Sequence, residues 1–245
     1  MNAHLDLSNT LIRKLDAFVS LSDDDKAHLA QLTARPRLVE ARTDLVREGD
    51  VPDGVVVILE GFACRYKIRE SGARHITAYL LPGDLGDVDV GLLPRMDHAI
   101  GTLSPCRVVR LDPAAVEDLL QNHPRIARAL RIGTLVDEAT LREWLVNVGC
   151  RSALERIAHL MCELLLRLQV VGLASANRYA LALTQLDLAD TTGLSNVHVN
   201  RSLQELRRRG LIVQKSRTLE ILDLPGLKAV AEFKPGYLHI EPRAA

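Results

Sequence analysis

The spacing of apolar residues changes once along this chain, near Asp112-Pro113, and the change calls for two different kinds of folding unit. Before it, short apolar stretches alternate with turn residues. Leu45-Val46 precede Glu48-Gly49-Asp50, Val55 to Leu59 precede Glu60-Gly61, and Phe62 to Ile68 precede Ser71-Gly72. Ile76 to Leu81 then precede Pro82-Gly83-Asp84, and Cys106 to Leu111 precede Asp112-Pro113. Strands of about 5–7 residues broken by Gly turns every 8–12 or so residues make antiparallel sandwiches or barrels. Ahead of them, Leu11, Ile12, Leu15, Phe18, Leu29 and Leu32 suggest short helices within residues 8–33.

After Asp112 the period moves toward 3.6. Asp112 is a good N-cap, Pro113 suits the first helical position, and His123-Pro124 closes that helix and opens a longer one to about Val148. The apolar positions of the long helix cover more than one face, so more than one face must be buried. One face can cover the strands, and the other wants either a second chain or this chain's own C-terminal part. Ile132, Leu135, Val136 and Ala139 are read as positions of a dimerisation helix. Gly149 interrupts the pattern and Arg151 to Leu168 resumes it. This gives three regions: 1–122 with the strands, 123–149 as helix and hinge, and 150–245, read as helical up to a small basic hairpin.

Residues 184–210, TQLDLADTTGLSNVHVNRSLQELRRRG, hold the most specific signal. Thr184 N-caps a two-turn helix, with Asp187 three residues on completing a capping pattern and Leu186, Leu188 and Ala189 as its inner face. Gly193 supplies a left-handed end, and Ser195 caps a second helix with Val199, Leu203 and Leu206 inside. Helix, short glycine turn and helix is the DNA-binding helix-turn-helix arrangement. Outward lie Asn196, Val197, His198, Asn200, Arg201, Gln204, Arg207 and Arg208. Amide and guanidinium groups of this kind pair with adenine and guanine edges in the major groove. Leu211 to Val213, a basic turn at Lys215-Ser216-Arg217 and Leu219 to Leu222 form a wing, followed by a last short helix from Pro225.

Thr184…Asp187-Leu188-Ala189…Gly193-Leu194-Ser195…Val199-Asn200-Arg201…Leu203…Leu206…Gly210-Leu211-Ile212 resembles the winged helix-turn-helix of the Crp/Fnr transcription regulators. Arg47-Glu48-Gly49-Asp50, Glu60-Gly61 and Pro82-Gly83-Asp84-Leu85-Gly86 are similar to that family's barrel turns, and Ala153 to Ala158 to its first DNA-domain helix. The resemblance implies an α+β chain with an N-terminal jelly-roll β-barrel of cyclic-nucleotide-binding type, a long dimerisation helix and a C-terminal winged helix-turn-helix. It further implies a homodimer on a pseudo-palindrome of double-stranded DNA, with RNA polymerase as a further partner. Asn196, Val197 and Arg201 would read bases. Thr184, Ser195, His198, Lys215, Ser216 and Arg217 would lie near phosphates, with His198 and Asn200 as added readers. Val197 stands where familiar members carry a glutamate, which implies a different half-site, since an aliphatic side chain suits a thymine methyl.

The same resemblance frames the sensor. Relatives that bind cyclic AMP hold it with a Gly-Glu-Leu-Gly turn and a later arginine–hydroxyl pair. Here Gly83-Asp84-Leu85-Gly86 is read as that turn, but Met96 and Asp97 take the arginine and hydroxyl positions. Asp97 would repel a phosphate and Met96 cannot pair with one, which argues against cyclic AMP. Cys64, Cys106, Cys150 and Cys162 are dispersed with no C-x₂-C spacing, which argues against an iron–sulfur cluster; they read as reduced, mostly buried thiols. His75 and His98 are the barrel's candidate haem ligands and read instead as surface or hydrogen-bonded residues, so no cofactor is expected. A barrel with no ligand control is the alternative. A cupin-type enzyme is the rival class, but the chain lacks an H-x-H pair, a nucleophile motif and a phosphate loop.

Charge sharpens the division. The chain balances 31 Lys and Arg against 31 Asp and Glu, a sum that on its face argues against nucleic acid. Residues 195–217, however, hold six basic side chains and one acidic, and residues 151–245 hold 13 basic against 9 acidic, leaving the first 150 residues with a surplus of four acids. The N-terminus MNAHLDLSNTL lacks the pattern of a secretion signal, and no apolar run approaches the roughly 20 residues that span a bilayer, so a cytoplasmic protein off the membrane is expected.

Overall fold

A computed structural model describes residues 9–240. The chain divides into two compact units. One comprises the residues up to Lys67 with Ala78–Leu135, and the other comprises Ile68–Thr77 with the chain from Val136 onward. The division therefore falls inside the long helix.

The first unit opens with α1 (Thr10–Phe18), capped by the Asn9 side chain, and α2 (Asp23–Leu32), which starts with a Ser22–Asp25 capping box. The strands follow: β1 (Arg37–Val39), β2 (Asp44–Val46), β3 (Val55–Glu60), β4 (Ala63–Ile68), β5 (Arg74–Leu80), β6 (Ala99–Thr102) and β7 (Cys106–Leu111). They form two antiparallel sheets ordered β1-β7-β3 and β2-β6-β4-β5. Val55, Val56, Val57 and Ile58 are all buried along β3, so this strand is covered on both faces, and α1 packs against it. Leu11, Leu15, Leu29, Ile100, Val108 and Leu119 fill the same core. Asp112 caps α3 (Pro113–Asn122) by accepting the Ala115 amide at 2.8 Å, with Pro113 at N1, and α4 (Pro124–Cys150) follows directly. Helical structure continues through Gly149, and the break comes at Arg151-Ser152.

The second unit adds α5 (Ala153–Val170), β8 (Ala174–Ser175), β9 (Arg178–Ala180), α6 (Gln185–Thr192), α7 (Asn196–Arg208), β10 (Ile212–Lys215), β11 (Thr218–Ile221) and α8 (Leu224–Ala231). The sequence suggests helix up to the wing. Instead β8 and β9 form a small hairpin after α5 and extend the wing to a four-stranded sheet, β10-β11-β9-β8. Ala176 at its tip has a left-handed φ of 50°, and the Leu181 amide donates to the Arg217 carbonyl at 2.8 Å. α5 is the central helix and packs on α6, α7 and α8.

A titratable side chain lies in this core. His159 of α5 is fully buried, edge-on to Phe233 at 5.0 Å and stacked on Tyr237 at 6.0 Å, with Nε2 3.3 Å from Glu143. Burial, reinforced by the nearby Arg151 guanidinium, pushes its pKa down to about 4. The unfolded chain takes up the proton below about pH 6.5, where the folded state resists it. Stability should therefore fall by roughly 1.4 kcal/mol per pH unit between about pH 6.5 and 4. Urea midpoints at pH 7, 6 and 5 test this, with His159→Leu as control. A slope that persists unchanged in the variant assigns the effect to other groups.

Candidate nucleic-acid interface and sensor cavity

The helix-turn-helix is held by local hydrogen bonds. The Thr184 Oγ1 accepts from the Asp187 amide at 3.2 Å, while the Asp187 carboxylate accepts from the Thr184 amide at 2.9 Å. Asp187 is fully buried, and in the same compact unit Arg74 donates to it at 2.8 Å and to Asp190 at 2.8 Å. Gly193 ends α6 at φ 65°, in the left-handed region where a Cβ is strained, and the Leu194 amide then returns to the Ala189 carbonyl at 3.2 Å. Ser195 caps α7 through the His198 amide at 3.3 Å, and its hydroxyl lies 2.9 Å from His198 Nδ1.

Val199, Leu203 and Leu206 of α7 are buried, together with Ser202. Leu186 is exposed and does not join Leu188 and Ala189 on the inner face of α6, where Asp187, Thr191 and Thr192 sit instead. Asn196, Val197, His198 and Arg201 are exposed on one side of α7, and Asn200 is half-buried, 3.4 Å from Gln185. Val197 is 58% exposed, an aliphatic side chain left outside the core among polar neighbours. Arg201 makes no hydrogen bond or ion pair among the described residues.

The C-terminal arginines of α7 behave differently. Arg208 and Arg209 both clasp Glu205, which holds that carboxyl down at about 2, and Arg207 donates to Gln214 at 3.0 Å. Among the described residues, Asn196, Arg201 and Gln204 are the exposed amide and guanidinium groups of α7 left without a side-chain partner. Lys215, Ser216 and Arg217 are exposed at the wing tip, where Ser216 takes a left-handed φ of 54° to close the two-residue turn.

In the first unit a cavity of about 280 Å³ is lined by Val46, Asp50, Asp53, Val56, Gly86 and Asp87, among others, with Val90, Met96, Ile100 and Arg110. Of the expected ligand residues Gly83, Asp84, Leu85, Gly86, Met96 and Asp97, only Gly86 and Met96 line it. Gly83 (φ 93°) sits against α1, and a Cβ there would come 2.6 Å from the Thr10 carbonyl. Asp84 is buried, accepting the Leu81 amide at 2.7 Å and pairing with Lys14. Leu85 bridges to Val57. Asp97 points to solvent, 2.8 Å from His98 Nδ1, and that hydrogen bond lowers its pKa. Gly83 and Asp84 thus pin the turn down, and the cavity's own carboxylate is Asp87, which the sequence reading did not single out.

The charged groups of the lining are mostly acidic. Three carboxylates, Asp50, Asp53 and Asp87, face the cavity. Its one guanidinium, Arg110, is committed to Asp53 and the Leu45 carbonyl. Arg95 donates instead to the Gly49 carbonyl at 2.8 Å. A phosphate would meet net negative charge.

Along α4, Leu135, Leu141 and Leu145 are 58%, 53% and 75% exposed, and Val146 is also open. Val136 and Ala139 are covered within the chain and Ile132 is half-buried. Of the four expected positions, Leu135 alone lies fully on the open stripe, and Leu141, Leu145 and Val146 extend it.

A two-sheet regulatory domain, a long helix and a winged helix-turn-helix define a one-component DNA-binding regulator. Comparison with known proteins agrees over most of the chain. Residues 36–123 match the model of the cyclic nucleotide-binding domain, and residues 155–230 match that of the Crp-like helix-turn-helix domain. The nitrogen fixation regulation protein FixK of Azorhizobium caulinodans is 26% identical over 209 residues, 84% of each chain. The transcriptional activator protein FnrA of Stutzerimonas stutzeri is 26% identical over 218 residues, 87% of each. In fold, the chain resembles FixK2 from Bradyrhizobium japonicum with a TM-score of 0.69 and 22% identity, covering 86% of this chain and 98% of that one. The chain belongs to the Crp/Fnr family of transcription regulators.

Proposed function

We propose that two copies of this chain, joined along α4, bind a pseudo-palindromic DNA site. Asn196, Val197 and Arg201 of each copy read one half-site, helped by His198 and Asn200. Thr184, Ser195, Lys215, Ser216 and Arg217 face phosphates. The observation that carries this reading is that Asn196, Val197 and Arg201 stand open to solvent near the start of α7 while the helix's later arginines are engaged. A two-fold dimer requires half-sites about one helical turn apart. The barrel is a regulatory domain whose carboxylate-lined cavity disfavours cyclic AMP.

Iron–sulfur and haem binding are disfavoured too. Burial raises the Cys106 and Cys162 thiols to about 11 and 12, so neither offers a thiolate to iron. His98 is flanked by Asp97 and Asp87 rather than open to haem. Catalysis is not part of the role we assign, and RNA polymerase is the partner a promoter-bound regulator would touch. Among the described residues no helix is long and apolar enough to cross a membrane, and the DNA partner assigns the work to the cytoplasm.

Selection from a randomised duplex library with the purified full chain tests the reading and should return an inverted repeat. Arg201→Ala should cost about 1–3 kcal/mol on the selected site and relax one position of it. Lys215→Ala should weaken binding to all sequences alike and lower the salt slope by about 1. Equal losses on specific and random DNA for Arg201→Ala would refute the base-reading role.

A further inference from the structure

One cluster in the first unit is untouched by DNA binding or by the cavity. His28 of α2, Asp118 of α3 and His123, at the junction of α3 and α4, converge so that one ligand atom from each lies within 4.8 Å of the others. His28 Nε2 and His123 Nε2 are each 3.5 Å from the same oxygen, Asp118 Oδ2. That separation is too long for a hydrogen bond, whose N···O distance is about 2.7–3.2 Å. It is close to the edge of a tetrahedron about a zinc ion, about 3.4 Å for metal–ligand bonds of about 2.0–2.1 Å. His28 Nε2 is buried and makes no hydrogen bond.

The surroundings are those of a ligand set. Asn122 Nδ2 donates to the other carboxylate oxygen, Asp118 Oδ1, at 2.7 Å, leaving Oδ2 to the histidines. On the far side of its ring, His123 Nδ1 faces Asp25 Oδ1 at 3.9 Å, on the side where a metal-bound imidazole keeps its outer carboxylate though beyond hydrogen-bond distance. Asp25 is itself held by the Ser22 amide and hydroxyl at 2.9 and 2.6 Å. The two imidazoles stack at 4.2 Å with an interplanar angle of 15°, so at least one ring must turn about its side-chain torsions for both Nε2 lone pairs to meet one ion. Each of the three side chains is partly exposed, so an ion and a fourth ligand from solvent can reach the site.

We infer that His28, Asp118 and His123 bind a divalent transition-metal ion, zinc by preference, with water in the fourth position. Two imidazoles and a carboxylate suit such an ion better than calcium or magnesium, which favour all-oxygen sets. The ion would tie α2 to the elbow from which α4 begins, joining residues far apart in sequence within the regulatory unit.

Full-length untagged protein, stripped with chelator and returned to metal-free buffer, gives the test. Co(II) should add one equivalent per chain with the intense visible bands of four-coordinate cobalt, and Zn(II) should abolish those bands and raise the Tm. His28→Ala and His123→Ala should each lose the bands, while His75→Ala should keep them. Asp25→Asn should retain the bands with affinity lowered roughly tenfold. Asp118→Asn, nearly isosteric, covers the case in which a histidine variant does not fold, and it too should lose the bands. No visible bands, the weak spectrum of six-coordinate cobalt, or bands that survive in a folded Asp118→Asn or in both histidine variants would overturn the site.

Discussion

Replacing Leu145 by Glu should turn the protein into a monomer and lower its affinity for an operator by about 10²–10⁴-fold, the factor usually gained when two linked sites bind together. Leu145 is the most exposed aliphatic residue of α4, at 75%, on a face that also carries Leu135, Leu141 and Val146. Fully burying an exposed leucine or valine contributes about 1.5–3 kcal/mol, and these four side chains are only about half to three-quarters open, so the strips of two helices offer about 7–14 kcal/mol before the costs of association. Those costs are about 4–15 kcal/mol, close enough to the gain that a dimer resting on this strip does not survive a carboxylate at its centre. A two-fold axis along the helices would bring two glutamates near one another, adding like-charge repulsion to the lost apolar area. The side chain points to solvent in the single chain, so the variant's circular dichroism and Tm at low concentration should match the parent. Sedimentation equilibrium and operator titration read the two effects. A dimer of unchanged Kd would move the interface off this face, and a monomer with full operator affinity would remove the two-half-site reading.

The sequence exposes some of these features and hides others for physical reasons. The helix-turn-helix is legible to the residue because its boundaries depend on local chemistry: a Thr184 cap, a left-handed Gly193 and a Ser195 cap. Leu186 misleads because a two-turn helix has few inward positions, and tertiary packing gives these to Asp187, Thr191 and Thr192. The hairpin of β8 and β9 escapes because strands of two and three residues carry no measurable period. On α4, apolar residues on several faces signal double burial but not which neighbour covers which face, so Val136 and Ala139 turn inward while Leu141 and Leu145 stay open. The cavity turn is displaced because Gly83-Asp84 has a second use, docking on α1, that spacing alone cannot distinguish from ligand binding. His28 and His123 are distant in sequence, and only the fold of the first unit brings them together.

The largest loss of stability is expected for Glu163→Ala, about 3–5 kcal/mol, the usual consequence of removing one partner from a buried charged network. Glu163 lies in the middle of α5 with no exposed surface. Its Oε2 accepts from the Trp144 indole at 2.9 Å and from the Tyr237 hydroxyl at 2.8 Å, and its Oε1 accepts from Arg167 at 3.1 Å. The i,i+4 pair with Arg167 can be read from the sequence and alone would be worth little at a surface. What raises the stake is that both other donors come from outside α5, one on α4 and one near the C-terminus, so a single carboxylate joins three segments of the DNA-binding unit. Truncation to alanine leaves a guanidinium, an indole N–H and a phenol without their acceptor in a region closed to water. Glu163→Gln retains an acceptor oxygen and the side chain's volume and should cost clearly less. α5 packs directly on α7, so loosening it also undermines the platform that aims the recognition helix. Urea unfolding should show a lower midpoint at unchanged m for both variants, in the order parent, Gln, Ala. Operator affinity measured where each remains folded should fall for Ala more than for Gln. A loss below about 1 kcal/mol for Ala would be no more than the worth of a single neutral hydrogen bond and would leave the network with no special part in holding the unit.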